Sequence, residues 1–413
     1  MSADADGIPP RLSARIRADR DRLVTHFEAW LDRSRAPSGA LGRIARGEEA
    51  LSSSAERHRT LAWLVPAVIV CSAGLILSAI LLSLPITFGF SLDGQTVIDE
   101  RLKLTWAHLL TPFHTHLNLI PILIWNRMAA VFGTASSTPY LALLLATHVG
   151  LAAATTVALA RRIGSVLAVA FGLPLVLLGS AYFNLIAPWQ ILFTLTLLAG
   201  LVCVWTSIER ERTIKRQLVV ATFLILAVLT SNLAVFITVA LVLWFVMDGR
   251  TNQLRELVPA MVVFGLWFIT WGRTGLGADG SPTTLASVLA VVPYTALGLA
   301  SGAGGMIGLG PVAGAFLLGA LAMKFRPPKP MLAFLIAIVA MFAVGALFRY
   351  MSGVEQALVS RYITLVAYMT VFGILAAGYS PPVRPAVALV LSLLVVIGNL
   401  VTLALALPAF LAT

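Results

Sequence analysis

The side chains best suited to chemistry are concentrated in one polar stretch of this chain, residues 93–133. Acids come first, and basic groups and histidines follow them: Asp93, Asp99, Glu100, Arg101, Lys103, His108, His114, His116 and Arg127. A carboxylate can act as a general base toward a hydroxyl group, and a cation beside it can hold a phosphate group. The stretch therefore contains the groups that chemistry on a lipid phosphate would need.

The acids of this stretch also have a structural interpretation. Asp99 and Glu100 stand beside Arg101 and Lys103, and together they could form a solvated charge cluster on a surface helix. Asp93 stands apart, closer to the first apolar run. The residues alone leave open which acid, if any, acts as a base.

The histidines leave a similar choice open. His114 and His116 alternate in a turn-like segment, where they could bind a phosphate or cap a helix that begins near Asn118. A spacing of two histidines is weak evidence for zinc, which takes at least a third protein ligand. Because no convincing third ligand stands nearby, we expect no zinc site and name no metal-binding residue; dependence on a divalent metal is left open.

The composition is that of a multi-pass membrane protein. Hydrophobic residues make up 59% of the chain and charged residues only 11%, whereas soluble domains have about 25% charged residues. The mean hydropathy is +0.93. The formal net charge of +11 comes mainly from short loops, where basic residues set topology and meet anionic lipid. We therefore expect membrane lipids as partners, and no nucleic acid.

The cysteines point to no special chemistry. Cys71 and Cys203 both lie inside apolar runs, with no partner nearby in the sequence. This usage supports neither a disulfide framework nor a cysteine-based metal site. We expect both to be inert packing residues.

The first 60 residues form a separate region. Residues 11–31 carry an apolar stripe opposite a face of arginines and acids, which predicts an amphipathic helix on the cytoplasmic membrane surface. A mobile tail is the alternative. Because the apolar run begins only near Leu61, a signal peptide is not expected. Residues 61–413 are predicted to form the transmembrane domain.

The loop charges predict the topology of an all-α, polytopic bundle. With the arginine-rich tail inside, the first span ends outside, and residues 91–135 form an exoplasmic first loop. The later spans alternate, which gives about 11 spans with an exoplasmic C-terminus in the plasma (inner) membrane. The predicted spans are residues 61–86, 141–160, 165–180, 191–207, two within 218–247, 257–271, 306–323, 331–348, 363–378 and 386–407.

Two apolar segments do not fit a simple alternation. Residues 218–247 are interrupted by Thr230, Ser231 and Asn232 and have basic flanks on both sides, which favours a hairpin of two short helices. One long tilted helix is the alternative. Residues 285–300 contain Pro293 and end in a Gly-rich run, which predicts a re-entrant or interfacial piece.

Several absences narrow the function. No charged residue lies at the centre of a predicted span, which weakens the case for an ion-coupled transporter. The sequence has no P-loop and no HEXXH or GXSXG motif, so nucleotide-driven chemistry and ordinary hydrolases are not indicated.

Exoplasmic cations also occur late in the chain, at Arg349 and Arg361. Arg361 begins a span, where an arginine can also merely snorkel.

A loosely spaced pattern connects this chain with a known family. An acid-containing loop precedes the positions Leu110, Pro112, His116, Leu117 and Pro121. This Leu-x-Pro-x-x-x-His-Leu-x-x-x-Pro pattern resembles the first external loop of GT-C type membrane glycosyltransferases, in particular their actinobacterial integral membrane branch. Residues 178–191, 229–236 and 359–365 look like later stretches of the same family, so the resemblance extends over roughly residues 61–407.

The resemblance implies a GT-C-like fold and a reaction. Such enzymes transfer a sugar from a polyprenyl-phosphate donor to a lipid or cell-envelope glycan acceptor on the outer face. The lipid-linked sugar is a substrate, and no cofactor is expected. A first-loop acid is the base, by position Asp99, with Glu100 and Asp93 as neighbours. Arginines or histidines bind the leaving phosphate, and the candidates here are His114, His116, Arg127, Arg349 and Arg361.

Other functions remain compatible with this sequence. A transporter or flippase for lipid-linked glycans would need a cavity that opens alternately to the two sides. A non-catalytic GT-C-like subunit would keep the helical frame without the chemistry and would act with a membrane-protein partner. A lateral portal beside Asp99 would favour the enzyme, and a solid, closed bundle would favour the subunit.

Overall fold

Helices account for almost all of the chain that the structure describes. The computed structural model describes residues 63–84, 105–112, 116–209, 211, 213–277, 285–349, 357–358 and 360–411, and within them no β-strand occurs. The predicted N-terminal helix lies outside the described residues. The helices are α1 (Trp63–Ser83), α2 (Trp106–Leu110), α3 (Leu119–Phe132), α4 (Thr138–Ile163), α5 (Ser165–Val176), α6 (Tyr182–Ile186), α7 (Ile191–Ile208), α8 (Ile214–Thr230), α9 (Ala234–Met247), α10 (Val258–Thr270), α11 (Leu285–Met306), α12 (Pro311–Lys324), α13 (Lys329–Arg349), α14 (Arg361–Ala377) and α15 (Pro385–Leu411).

The bundle is built for a membrane. Among the described residues, 7 helical segments are long and apolar enough to cross a bilayer, and further apolar helices are 10–17 residues long. Large apolar side chains cover the outer surface, and Leu75 and Ile76 are each 63% exposed. Such a surface suits lipid rather than water. The predicted all-α membrane bundle is confirmed to this extent, and the count of about 11 spans stays a prediction.

One end of the bundle gathers basic side chains, and we call it the basic end. Arg250 donates a hydrogen bond to the carbonyl of Ser207 at 2.6 Å, where α7 ends. The Lys329 ammonium donates to the carbonyl of Met247 at 2.9 Å, where α9 ends and α13 begins. The Arg161 guanidinium lies 4.6 Å from the ring centroid of Trp63, at the start of α1. The loop charges predicted that these helix ends lie on the same side of the membrane, and the contacts place them at the same end of the bundle.

The opposite end, which we call the loop end, holds the polar segments between helices. Asn184 of α6 donates to the carbonyl of Arg361 at 2.9 Å, which brings the start of α14 beside the start of α7. The segment before α3 contacts the turn between α8 and α9 through Leu117 and Asn232. These contacts gather at one place segments that are far apart in sequence.

The predicted hairpin of residues 218–247 is confirmed. Helix α8 ends at Thr230, Ser231 takes an extended conformation, and α9 begins at Ala234. At about 1.5 Å per residue the two arms are roughly 25 and 21 Å long, shorter than the hydrocarbon core of about 30 Å. The tip of the hairpin therefore lies short of the membrane surface that a full span would reach.

Helix α11 stays in the half of the bundle near the loop end. Its close contacts are with the loop-end halves of α13 and α14: Gly298 on Phe342, Gly302 on Val366 and Gly305 on Ile363. Its length and composition would allow a membrane crossing, so the predicted re-entrant course stays a prediction.

The predicted boundaries of this re-entrant piece are wrong. The Gly-rich run 301–305 does not end α11, which stays helical to Met306. The chain turns later, at Gly308, whose φ of 71° lies in the left-handed region that favours glycine. Helix α12 then runs from Pro311 to the basic end, where Phe325 packs on Tyr379 at 5.8 Å. Glycines that looked like helix breakers instead let α11 approach α14 closely.

Two helix breaks meet inside the bundle at Asn399 of α15. Its Oδ1 accepts from the Ser180 N–H at 3.0 Å, and its Nδ2 donates to the carbonyl of Val395 at 3.0 Å and of Met306 at 3.4 Å. The Ser180 hydroxyl lies 2.6 Å from the carbonyl oxygen of Gly305. The amide of Asn399 therefore satisfies backbone groups that the breaks after α5 and α11 would otherwise leave unpaired in the membrane.

The predicted first loop, residues 91–135, contains more structure than a polar gap. Helix α3 is apolar and buries Pro121, Ile122 and Trp125. The Trp125 ring centroid lies 5.3 Å from that of Tyr140 on α4 and 5.2 Å from that of Trp189. The helix that the sequence suggested from near Asn118 is thus present, and it packs on the bundle.

Candidate functional site at the loop end

The segment before α3 is held on the hairpin tip by polar contacts. The N–H of Leu117 donates to Oδ1 of Asn232 at 3.1 Å. The Ser231 hydroxyl lies 3.4 Å from Nδ1 of His116, within hydrogen-bond distance. In the orientation that satisfies both ends of its amide, Asn118 donates to the carbonyls of Leu117 and Thr230 at 3.3 Å each. His116 is thereby fixed against the tip of a membrane-embedded hairpin.

The start of the same segment is also anchored. The indole N–H of Trp267 on α10 donates to the carbonyl of Leu110 at 2.8 Å. Pro112 is buried directly after it. The backbone around His116 is therefore fixed on both sides, at Leu110 and at Leu117. A side chain on such a support can be oriented toward a substrate.

Arg361 occupies a second position at the loop end. It is the first residue of α14 and is partly buried. Its guanidinium carbon lies 5.5 Å from the ring centroid of Tyr362, and its carbonyl accepts a hydrogen bond from Asn184. Its location at the start of a helix also favours anions, because backbone N–H groups and the helix dipole point outward there.

A small apolar cleft lies between the hairpin tip and α14. Leu233, next to the hairpin tip, and Leu365, one turn after Arg361, line the same cleft between α7, α9, α13 and α14. The other lining residues visible there are apolar as well, among them Phe236 and Met341. His116 and Arg361 do not line this cleft themselves; Leu233 and Leu365 place it between the hairpin tip and the first turn of α14.

Only some of the predicted site residues can be placed. His116 and Arg361 lie at the same end, whereas Arg127 is exposed on α3. Arg349 ends α13, but its side chain lies outside what the structure describes. The predicted base candidates Asp93, Asp99 and Glu100, and also His114, lie outside the described residues. Their roles stay predictions.

Several polar residues at this end did not stand out in the sequence. Trp267 reads as one more aromatic residue of an apolar run, and Asn184 as a loop residue. Asn232 was visible as a helix break, but not as the partner of Leu117, which lies 115 residues away. Their roles depend on contacts across the fold, which no local pattern encodes.

His148 is a packed helix residue rather than part of this site. The side chain is 2% exposed, and its Nε2 lies 3.2 Å from the carbonyl oxygen of Val176. It belongs to the contact between α4 and α5.

A buried carboxyl group at the basic end was also missed. Glu256 is 2% exposed, and neither carboxylate oxygen has a hydrogen-bond partner in the described part of the chain. Burial raises the pKa of this carboxyl above its usual range, although the nearby Arg216, Arg250 and Arg255 act in the opposite direction. In sequence it reads as one acid of a charged loop.

The raised pKa of Glu256 predicts a pH dependence of stability. The folded protein binds this proton more tightly than the unfolded chain does, so the stabilisation is complete below the unfolded pKa of about 4.3. It is lost as the pH rises through the folded pKa. We expect the melting temperature of Glu256→Gln to fall less than that of the wild type as the pH rises from about 4.3 toward neutrality. Thermal unfolding of the purified protein at a series of pH values measures this difference.

A matched control is Glu209→Gln, which removes an exposed carboxylate at the same end. It is expected to keep the wild-type slope. Parallel pH profiles for Glu256→Gln and the wild type would contradict the assignment.

Among the described residues, no three side chains of the His, Cys, Asp or Glu type group together as metal ligands would. Since His114 and the first-loop acids are not among them, the predicted absence of a zinc site stays a prediction. The geometry thus gives a membrane bundle with a fixed histidine and an arginine at one end. No family model, curated protein or solved structure matches this chain.

Proposed function

We propose that this protein is a GT-C-like membrane glycosyltransferase of the plasma membrane. It moves a sugar from a polyprenyl-phosphate donor to a lipid or cell-envelope glycan acceptor on the exoplasmic face. The observation that carries the proposal is the pair of groups at the loop end: His116, fixed on the hairpin tip, and Arg361, at the start of α14 beside Asn184. A polar head held between them, with its hydrocarbon chain toward the lipid, fits this arrangement.

The distribution of basic residues supports the exoplasmic face. Arg161, Arg216, Arg250 and Lys329 gather at the basic end, together with the beginning of α1. Basic loops are retained on the cytoplasmic side of bacterial-type membranes. The loop end is then exoplasmic, and the N-terminus is cytoplasmic. With about 11 spans the C-terminus is exoplasmic.

The proposed chemistry divides the work between acids and cations. A first-loop carboxylate takes the proton of the acceptor hydroxyl, and the hydroxyl oxygen bonds to the anomeric carbon of the sugar. The bond between that carbon and the phosphate oxygen breaks, and polyprenyl phosphate leaves. His116 and Arg361 hold the phosphate, together with His114, Arg127 and Arg349. This assignment rests on the resemblance for the acids, and on geometry for His116 and Arg361.

The experiment tests the two placed cation candidates together. His116→Ala and Arg361→Ala are each expected to lower transfer from a polyprenyl-phosphate sugar by roughly tenfold or more, because the departing phosphate loses a stabilising group. Transfer by the purified protein in proteoliposomes, with a matched melting temperature, is the measurement. Arg361→Lys, which keeps the charge but not the planar donor array, is expected to retain part of the activity.

Lys215→Ala serves as the control, because Lys215 is exposed at the basic end. It is expected to leave transfer unchanged. Full activity in both His116→Ala and Arg361→Ala would show that the phosphate does not bind to these residues at the loop end.

A carrier for lipid-linked glycans is the second candidate. The breaks after α5 and α11 meet at Asn399 inside the bundle, and interrupted helices at such a depth are typical of transporters. A carrier would move the intact donor across the bilayer. Transfer of the sugar with release of polyprenyl phosphate distinguishes the enzyme from it.

A further inference from the structure

Buried polar groups line one face of α14 below the loop end. Arg361, Thr364 and Tyr368 are spaced i, i+3 and i+7, which places them on the same side of the helix. Thr364 and Tyr368 are each 0% exposed. Arg361 Nε, Thr364 Oγ1 and Tyr368 Oη are buried and find no hydrogen-bond partner among the described residues.

Helix α7 faces this line. Gly200 of α7 packs against Phe372 of α14, and both helices run from the loop end to the basic end. One turn nearer the loop end on each helix stand Thr196 and Tyr368. Thr196 is 0% exposed, and within the described residues its hydroxyl has no partner either. The helix spacing therefore places these two hydroxyl groups at a similar depth, on the sides of α7 and α14 that pack together.

Asn184 completes the line at the loop end. Its Nδ2 donates to the carbonyl of Arg361, while its buried Oδ1 has no partner in the part of the chain described here. We call the group of Asn184, Arg361, Thr364, Tyr368 and Thr196 the polar seam. From Arg361 to Tyr368 it extends roughly 10 Å along α14 at about 1.5 Å per residue.

Other buried threonines in this protein behave differently. Thr155, Thr156 and Thr238 donate to the carbonyl four residues earlier in their own helices, at 2.8, 2.7 and 2.9 Å. This local bond is the usual way to satisfy a hydroxyl inside a transmembrane helix. The hydroxyl groups of Thr196 and Thr364 do not make this hydrogen bond. A buried polar group without a partner costs free energy, so a common partner for the whole seam is indicated.

We propose that the polar seam binds a file of water molecules that enters the bundle from the loop end. The seam offers hydroxyl groups, an amide oxygen and a guanidinium N–H, and water both donates to and accepts from such a set. Buried waters typically make two to four hydrogen bonds, about the number that adjacent seam groups provide. The described seam residues include no carboxylate, which argues against a cation.

The file ends inside the membrane. Beyond Tyr368 the helices close on the contact between Gly200 and Phe372, with Ile237 of α9 against Gly200. The Tyr368 ring packs on Phe372 at 6.2 Å. The file of water molecules thus connects with bulk water only at the loop end. This inference does not depend on glycosyl transfer and holds for an enzyme, a carrier or a subunit.

The test measures the melting temperatures of single and double variants of the full-length protein. It asks whether each substitution raises or lowers the melting temperature, and whether the effects of two substitutions add. If water satisfies the seam, Tyr368→Phe lowers the melting temperature, because a hydrogen-bonded hydroxyl is lost. Its effect is smaller in a Thr196→Val background, since the two hydroxyls share a water. In a Thr155→Val background, where the threonine is satisfied by its own helix, Tyr368→Phe keeps its full effect.

A dry seam gives the opposite result. Tyr368→Phe then raises the melting temperature, and it adds to Thr196→Val without coupling, which overturns the proposal. If either variant does not fold, an experimental map of the wild type decides. Ordered water density between the hydroxyls of Tyr368 and Thr196 supports the file, and direct bonding of the two hydroxyls to protein groups contradicts it.

Discussion

Neutralising the general base is expected to lower sugar transfer by about 10²- to 10⁴-fold, the usual contribution of such a group. The three candidates are tested singly with isosteric amides: Asp93→Asn, Asp99→Asn and Glu100→Gln. One of them is expected to show this loss without a change in melting temperature, and Asp99 has the position that the resemblance favours. Transfer to acceptor lipid by purified protein in proteoliposomes is the measurement.

The pH profile strengthens this test. A carboxylate base must be ionised, so the wild-type rate is expected to fall on acidification as the base takes up a proton. Glu211→Gln, which removes an exposed acid at the basic end, is the matched control and is expected to keep the wild-type rate. If all three loop variants transfer sugar as fast as the wild type, no first-loop acid is the base.

Replacing Asn399 by leucine is expected to destabilise the protein by about 3 kcal/mol, because a buried N–H loses its acceptor. That N–H belongs to Ser180, and the carbonyl of Met306 loses its donor in the same variant. Both groups lie where the helices are interrupted, and lipid offers no replacement partner. Unfolding of the purified protein in denaturant measures the loss.

The same helix provides a matched control. Ser392 is 4% exposed, and its hydroxyl has no hydrogen-bond partner in the described chain. Ser392→Ala should therefore leave stability unchanged or raise it slightly. Equal stability of Asn399→Leu and the wild type would show that the interrupted segments do not depend on this amide.

The sequence predicted those features that repeat locally or depend on charge. The apolar runs predicted the helices, and the basic flanks of residues 218–247 required a hairpin, which α8 and α9 form. The re-entrant course that Pro293 and the glycines after it predict for α11 stays a prediction. The shared basic end also followed from the loop charges alone.

The remaining features depend on long-range contacts. Asn399 is a single polar residue in an apolar run, and its partner Ser180 lies 219 residues away. The burial of Glu256 comes from packing against helices on either side of its loop, and a charged loop in sequence gives no sign of it. The packing of α3 likewise depends on contacts across the fold, between Trp125, Tyr140 and Trp189.

The candidate site was predictable only in part. His116 and Arg361 were both selected by residue type and expected side of the membrane, and they lie at the same end of the bundle. The contact of His116 with Ser231, and that of Asn184 with the carbonyl of Arg361, could not be predicted from spacing. These contacts join segments that are distant in sequence, and packing alone decides them.

The most direct test of the proposed function is a transfer assay with the wild-type protein in proteoliposomes. The substrates are polyprenyl-phosphate hexoses and pentoses labelled in the sugar, with an envelope lipid extract as acceptor. We predict that label appears in the acceptor in an amount equal to the polyprenyl phosphate released. Donor that stays intact, or that only crosses the bilayer unchanged, would contradict glycosyl transfer.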